Sequence, residues 1–282
     1  MRQLKEDRRW GCGYRNFQML FSSLVADDVF YQHLSQQPFF KGKNKSPLAK
    51  PPYIPSIITL QDLIECAWKE GFDPEGAAHF KYRLKYSSRW IGATEIVAAL
   101  RYLRIRTNVI DFHKPTGSDG KSHPEIFQFV KTYFKDGGDG HGIPCSSNSL
   151  SNSLSSSLSN SSSNSLSNTC TTLLNRCVKF PLYWQHQGHS RSIIGMKPGV
   201  TDLDSLLFVF DPQYMIPESL QQVISERGKE KKRRCHINLI KKFGINSNEV
   251  AKHAQYQIVY VNGIMSEYEV NDSKIITSTR IP

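Results

Sequence analysis

The sequence predicts an α+β fold, in which a layer of helices packs on a mostly antiparallel sheet. Segments with apolar residues at helical spacing gather in the first half of the 282-residue chain. Short runs of β-branched and aromatic residues gather in the second half. Helices and strands that are segregated in this way form separate layers around one core. Since 282 residues suffice for a substantial core, we expect a single domain over residues 1–282.

Four segments carry apolar side chains on one helical face. In the first, Tyr14 is followed by apolar residues at positions 17, 20, 21 and 24, which is the spacing of a helix with one buried side. The second stops at Gly71, and Pro124 suits the first turn of the fourth. The predicted helices are Tyr14–Leu24, Ile57–Glu70, Ala93–Leu103 and Pro124–Phe134.

Five short apolar runs, each bounded by Gly, Pro or polar residues, are typical of strands. The predicted strands are Thr107–Phe112, Leu182–Gln187, Ser192–Met196, Leu206–Phe210 and Gln257–Val261. The segment Phe39–Ile54 is rich in Lys and Pro, and we expect it to be a loop. The stretch from Ser146 to Asn168 contains only Ser, Asn and Leu. Because such a stretch buries too little apolar surface to offset its ordering entropy, a disordered insertion is predicted over about residues 146–168.

Composition limits the partners and the compartment. No run approaches the ~20 apolar residues of a membrane span, so no membrane partner is expected. The six cysteines form no Cys-x-x-Cys pair, and we expect neither a metal nor another cofactor. Irregular cysteine spacing without a visible secretory signal indicates a reduced compartment, the cytoplasm or the nucleus.

The net charge is +11, and the densest cluster of basic residues is Lys229–Arg234. This run has two interpretations, a solvated face or a patch for nuclear import or nucleic acid. No aromatic residues interleave with its charges, as they do in single-strand binding surfaces. Nucleic acid is therefore not an expected partner of this domain.

Cys12 is the candidate nucleophile. It lies between Gly11 and Gly13 at the start of the first predicted helix. Unpaired backbone N–H groups and the helix dipole favour an anion there, and the thiolate is the reactive form of cysteine. The competing interpretation is a small buried cysteine that only fills space at a helix start.

His189 and Asp211 are the candidate base and its orienting carboxylate. His189 lies just before one predicted strand and Asp211 ends the next. If these strands pair as a hairpin, the two side chains emerge at the same end of it, where a base and its orienter would be side by side. A structural His–Asp pair without catalytic function is the alternative.

These motifs carry a family resemblance. The run Trp10–Leu20, Trp-Gly-Cys-Gly-Tyr-Arg-Asn-Phe-Gln-Met-Leu, resembles the nucleophile motif of the ubiquitin-fold-modifier-specific peptidase superfamily. Within it, the chain is most similar to the branch called zinc finger with ubiquitin-fold-modifier-specific peptidase domain (ZUFSP). Four more segments support that branch over roughly residues 7 to 263: Trp68–Gly76, Trp90–Ala93, Val109–Lys114 and Gln185–Arg191.

The resemblance implies a papain-like fold, with the nucleophile helix packed on the sheet, and a Cys-His-Asp triad. By motif, Cys12 is the nucleophile, His189 the general base and acid, and Asp211 the orienter. Gln185 matches the glutamine whose side chain donates to the oxyanion in that branch, with the backbone N–H of Cys12 as a second donor. Gln187 is a weaker candidate for the same role, and the alternative for Gln185 is a strand glutamine bonded to a neighbour.

The resemblance also implies a thiol-dependent deubiquitinase, which hydrolyses isopeptide bonds after the Gly-Gly tail of ubiquitin, in polyubiquitin chains of the 63-linked type. We expect that tail to pass beside Trp10, Gly11 and Gly188. A protease for the ubiquitin-fold modifier, another ubiquitin-like protein, is the first alternative. Against it, Gln213 stands where those enzymes carry their catalytic histidine, and no tyrosine precedes Cys12. The second alternative is a catalytically weak ubiquitin-binding module.

Overall fold

The computed structural model describes residues 6–41, 53–135, 179–201, 204–214, 218 and 243–281. The predicted insertion at 146–168 and the basic run Lys229–Arg234 lie outside these ranges. Within them, helices dominate before Lys135 and strands dominate after Leu182, so the predicted α+β organisation is confirmed. No helix in the described ranges is long and apolar enough to cross a membrane.

The four predicted helices form within one or two residues of their expected bounds, and five shorter helices accompany them in the part of the chain that the structure describes. Side-chain caps begin several: Asp27 accepts from the N–H groups of Val29 and Phe30, and Ser56 accepts from that of Thr59. The helices are α1 (Cys12–Val25), α2 (Asp28–Gln36), α3 (Pro38–Lys41), α4 (Ile57–Lys69), α5 (Pro74–His79), α6 (Ala93–Tyr102), α7 (Pro124–Lys135), α8 (Ser247–Val250) and α9 (Glu267–Asp272).

The strands form one seven-stranded sheet in the order β5-β4-β3-β2-β6-β1-β7. Every neighbouring pair is antiparallel except β1 with β7, so the sheet is mostly antiparallel as predicted. The strands are β1 (Ile105–Phe112), β2 (Leu182–His186), β3 (His189–Lys197), β4 (Leu206–Phe210), β5 (Gly244–Ile245), β6 (Tyr256–Ile264) and β7 (Ser278–Ile281).

Both faces of the sheet are covered. Successive residues of a strand point to opposite faces, and here neighbouring strand residues join different apolar clusters. Val109 and Val259 pack with the helices α1, α4 and α6, whereas Ile110 and Ile258 pack with α7. Burial on both faces explains why apolar residues stand side by side in these strands, as in Val109–Ile110 and Ile258–Val259. Helix α1 also packs against β3, the strand that begins at His189.

Three expectations need correction. The predicted loop Phe39–Ile54 begins in α3, where Phe39 and Phe40 are buried against the core. His189 does not precede a strand, because it is the first residue of β3 and pairs with His186. Gln187, predicted as strand, instead lies in the tight turn between β2 and β3 with Gly188, whose φ is +86°.

Candidate active site

Cys12 is the first residue of α1, so its backbone N–H belongs to the unpaired first turn of that helix. Its side chain is buried, with 8% of the residue exposed. Gly13 allows the helix to approach the segment before α6, because a Cβ at this position would lie 2.5 Å from the carbonyl oxygen of Ile91. Cys12 is therefore placed by a close backbone contact that only glycine permits.

Asn16, one turn after Cys12, joins α1 to β3. Its Nδ2 donates to the backbone carbonyl of Cys12 and to Ser190 Oγ, both at 3.0 Å. Its Oδ1 accepts from Ser192 Oγ at 2.8 Å. Asn16 is completely buried, and both serines are 2% exposed or less. This polar link fixes the helix that begins at Cys12 against the strand that begins at His189.

His189 and Asp211 meet as the hairpin argument predicted, since β3 and β4 pair antiparallel. His189 Nε2 donates to both oxygens of the Asp211 carboxylate at 2.9 Å. The other side-chain hydrogen bond of His189 is with Cys12, and Nδ1 is the ring nitrogen that remains for it. The three residues thus form a continuous Cys–His–Asp arrangement in the described structure.

The electrostatics of this arrangement favour a thiolate–imidazolium pair. Burial raises the pKa of Cys12, but hydrogen bonds with His189 and Ser190 outweigh it and leave the pKa lowered. Burial lowers the pKa of His189, yet its bonds with Asp211 and Cys12 raise it to about 9. Burial raises the pKa of Asp211, and the bond from His189 reverses this effect, so the carboxylate stays ionised. These shifts favour the thiolate form of Cys12 and the protonated form of the His189 ring, which are the forms that act as a nucleophile and as an acid.

Gln185 lines the same cleft as Cys12, and its amide is held at both ends. Tyr183 Oη donates to Gln185 Oε1 at 2.9 Å, and Gln185 Nε2 donates to Gln257 Oε1 at 2.7 Å. The bond to Gln257 uses one of the two N–H groups of the amide. The second can serve a developing oxyanion, the role that the sequence resemblance implies.

A cleft of about 700 Å³ runs past these residues. Gly188, from the predicted substrate-binding set, contributes to its lining, and a Cβ added at Gly188 would meet no atom within 4 Å. Among the described residues that form the lining, neither Trp10 nor Gly11 is found. The Trp10 ring instead packs edge-on against Tyr14, with centroids 5.5 Å apart, and a Cβ on Gly11 would point at Asp7.

Several residues at the site were not singled out in sequence. Trp90 and Gly92 line the cleft, although their segment appeared only as a family motif. Arg191 donates to Asp211, and its signal was its position, two residues after His189 on the same face of a strand. Asn16 left no such signal, because its two partners on β3 lie 174 and 176 residues away.

Comparisons with known proteins place the chain in a family. The profile of Peptidase family C78 matches residues 1–259. Zinc finger-containing ubiquitin peptidase 1 is 35% identical in Macaca fascicularis and 34% identical in Homo sapiens. In both cases the match covers 98% of this chain, which spans 39% of the relative's length.

Two further similarities are more distant. Ubiquitin carboxyl-terminal hydrolase mug105 of Schizosaccharomyces pombe is 28% identical, over 95% of this chain and 84% of its own length. The crystal structure of UfSP from C. elegans superposes with a TM-score of 0.44 at 15% identity, over 92% of this chain and 31% of that chain.

Proposed function

The chain belongs to peptidase family C78, and we propose that it is a thiol-dependent deubiquitinase, which cleaves the isopeptide bond after the Gly-Gly tail of ubiquitin. The proposal rests on one observation. Cys12, at the N-terminus of α1, is hydrogen-bonded to His189, which is hydrogen-bonded to Asp211, and the three residues lie beside an open cleft. The relatives named for ubiquitin hydrolysis support the choice of ubiquitin as the substrate.

The chemistry follows from the protonation states. The Cys12 thiolate attacks the carbonyl carbon of the last tail glycine, and the carbonyl oxygen becomes an oxyanion. The Cys12 backbone N–H and the Gln185 amide donate to that oxyanion. His189, protonated in the resting pair, gives its proton to the leaving lysine amine as the C–N bond breaks. The products of this step are a free amine and a thioester on Cys12.

Release of the tail reverses the role of the histidine. His189 is now neutral, so it accepts a proton from a water molecule, which attacks the thioester carbonyl. The C–S bond then breaks, the ubiquitin tail leaves as a carboxylic acid, and the thiolate–imidazolium pair is restored. Asp211 holds the imidazole with Nε2–H directed at itself throughout, which keeps Nδ1 toward the sulfur.

Two finer statements extend the proposal. By family resemblance, the substrate is a polyubiquitin chain of the 63-linked type. We place the activity in the cytoplasm or nucleus, where thiols stay reduced, because the cysteine spacing shows no disulfide pattern.

The test is labelling with two probes, ubiquitin and the ubiquitin-fold modifier, each carrying a thiol-reactive group at its C-terminus. We expect an adduct with ubiquitin alone, which is lost in Cys12→Ala and kept in Cys66→Ala, the matched change at the other cysteine of the described ranges. An adduct with the other modifier alone would overturn the substrate. No adduct from folded protein would favour a binding module instead. Diubiquitins of each linkage then test the linkage statement directly.

A further inference from the structure

The Asp211 carboxylate is shared between two cationic side chains. Besides the bonds from His189, Oδ2 accepts from Arg191 Nε at 2.8 Å, and Oδ1 accepts from the backbone N–H of Gln213 at 2.9 Å. The Asp211 side chain is 6% exposed and the Arg191 side chain 24%. A carboxylate with this many donors has little freedom to rotate, so its orientation depends on each of them.

Arg191 is itself held from a second direction. Its Nη1 donates to Nε2 of His186 at 3.2 Å, and its guanidinium lies over the Trp184 ring, 6.0 Å from the centroid. Trp184 is the residue directly opposite Arg191 on β2. The planar guanidinium therefore connects the orienting carboxylate to the strand before the turn, through two of its nitrogens and its position over the Trp184 ring.

His186 can accept this bond only while it is neutral. Its Nδ1–H donates to the Gln187 carbonyl at 2.9 Å, so Nε2 is the free lone pair that faces Arg191. The ring stacks on His253, with centroids 3.6 Å apart. Burial lowers the pKa of His186 to about 4, and the charges of His253, Arg191 and His189 act in the same direction. The acceptor is thus available throughout the physiological pH range.

We propose that Arg191, held against neutral His186, is a positioning residue that fixes the Asp211 carboxylate in the orientation in which it holds His189. The proposal rests on the peptidase chemistry above, and it adds a fourth and a fifth residue to the triad. Arg191 touches no reacting atom, so its effect passes through Asp211 and His189 to the sulfur. A lysine would retain the charge, but it lacks the planar fork that reaches Asp211 and His186 together.

The test measures the reactivity of Cys12 toward chloroacetamide, a small alkylating reagent, from pH 4 to 10. This readout requires no ubiquitin, so failure of the proposed substrate leaves it intact. In Arg191→Met, we expect the rate constant at pH 7 to fall roughly ten- to a hundredfold, the size of effect that misplaced catalytic groups produce. The acidic limb of the profile should move to higher pH, because a poorly held imidazolium stabilises the thiolate less.

Arg191→Lys separates positioning from charge. If the fork matters, this variant stays well below the wild-type rate, and the downfield NMR signal of the His189 Nε2 proton shifts or broadens in both variants. His186→Phe, which keeps a ring against His253 but removes the acceptor, should give a smaller loss of the same kind. Arg106→Met is the matched control. Arg106 lies on β1 and donates two hydrogen bonds to the Glu269 carboxylate, and the alkylation rate of this variant should not change.

The proposal would be overturned if Arg191→Lys showed the wild-type alkylation rate and an unshifted NMR signal of the His189 Nε2 proton. Arg191 would then contribute only its positive charge. Wild-type behaviour of His186→Phe would remove His186 from it. Circular dichroism identifies a variant that fails to fold. If Arg191→Met does so, the lysine and phenylalanine variants still decide the question.

Discussion

The two halves of the proposed active site are held in place by different physical means. On the nucleophile side, Cys12 begins a helix whose Tyr14 and Phe17 are completely buried, and Asn16 makes neutral hydrogen bonds without solvent contact. On the base side, His189 and Asp211 belong to a hairpin and are held by charge, in part by a quarter-exposed arginine. The position of the sulfur depends on packing, whereas the position of the imidazole depends on electrostatics.

This difference separates two kinds of failure. A buried polar group that loses its partner costs the full desolvation of that group, so a change on the nucleophile side should appear mainly in stability. Removal of a charge on the base side leaves partners that can adjust, because Arg191 is partly exposed to solvent and His189 can release its proton. The same charges set the protonation states that the reaction uses. A change on the base side should therefore appear mainly in rate.

The largest effect is expected from Asp211→Ala. The imidazole loses the acceptor that orients it and the charge that keeps its pKa at about 9, so less of the thiolate–imidazolium pair forms. We expect kcat/KM to fall roughly 10²- to 10⁴-fold. Asp211→Asn should recover part of this loss, because an amide oxygen still accepts from Nε2–H. Steady-state kinetics on a ubiquitin substrate measure both variants.

The electrostatic role of the base side would be contradicted if Asp211→Ala unfolded the chain while the fraction that stays folded kept the normal turnover. A denaturant titration beside the kinetics distinguishes these outcomes. A fall in kcat/KM with a midpoint close to the wild-type value would support the electrostatic role of the base side.

Asn16→Ala should show the opposite balance. It leaves the Ser190 and Ser192 hydroxyls without their bonds to Asn16 and opens space between α1 and β3. We expect the free energy of unfolding to fall by about 2 kcal/mol, from the lost bonds at a fully buried site. Turnover of the protein that remains folded should fall about tenfold, since the sulfur and the base lose their common link.

Ser192→Ala is the matched variant, because it removes only the bond to Asn16 Oδ1. It should cost about half as much stability. If Asn16→Ala lost about tenfold in turnover with no loss of stability, packing would not be what places the sulfur.

The same contrast explains what the sequence could predict. The predicted hairpin placed His189 and Asp211 together because both lie at the ends of strands that are neighbours in sequence and pair with each other. The start of the predicted helix likewise placed Cys12 from residues close in sequence. Asn16 could not be found in this way, since its partners are set by how a helix docks on a distant strand. Burial of Phe39 and Phe40 was likewise hidden, because the surrounding Lys- and Pro-rich composition indicated a loop.

Edges of the fold were also beyond the reach of sequence patterns. Strand β7, Ser278–Ile281, is largely exposed and has no alternation of apolar residues, so only its pairing with β1 defines it. The proposed substrate groove shows the limit most clearly. Small residues beside the nucleophile suggested that Gly11 lines it, yet the direction of a missing Cβ depends on the fold around it.

The smallest effects are expected at two glycines, one in each half. Gly188→Ala forces a positive φ of +86° on a residue with a side chain, which costs about 1 kcal/mol, and places a methyl group in the cleft lining. Gly11→Ala has an ordinary helical backbone, but its Cβ would lie 2.6 Å from the Asp7 carboxylate, which pairs with Arg15. Overpacking of this kind costs roughly 1–2 kcal/mol.

The two variants should separate in kinetics although their stabilities fall by similar amounts. If the substrate tail passes Gly188, the KM for the ubiquitin substrate should rise in Gly188→Ala, because the methyl group narrows the cleft. The kcat of this variant should stay near wild type. KM should not change in Gly11→Ala, because the added methyl points into the protein at Asp7 rather than into the cleft. A raised KM in Gly11→Ala with unchanged stability would restore Gly11 to the groove. It would also show that the nucleophile side contacts the tail directly, so that packing there serves binding as well as the position of the sulfur.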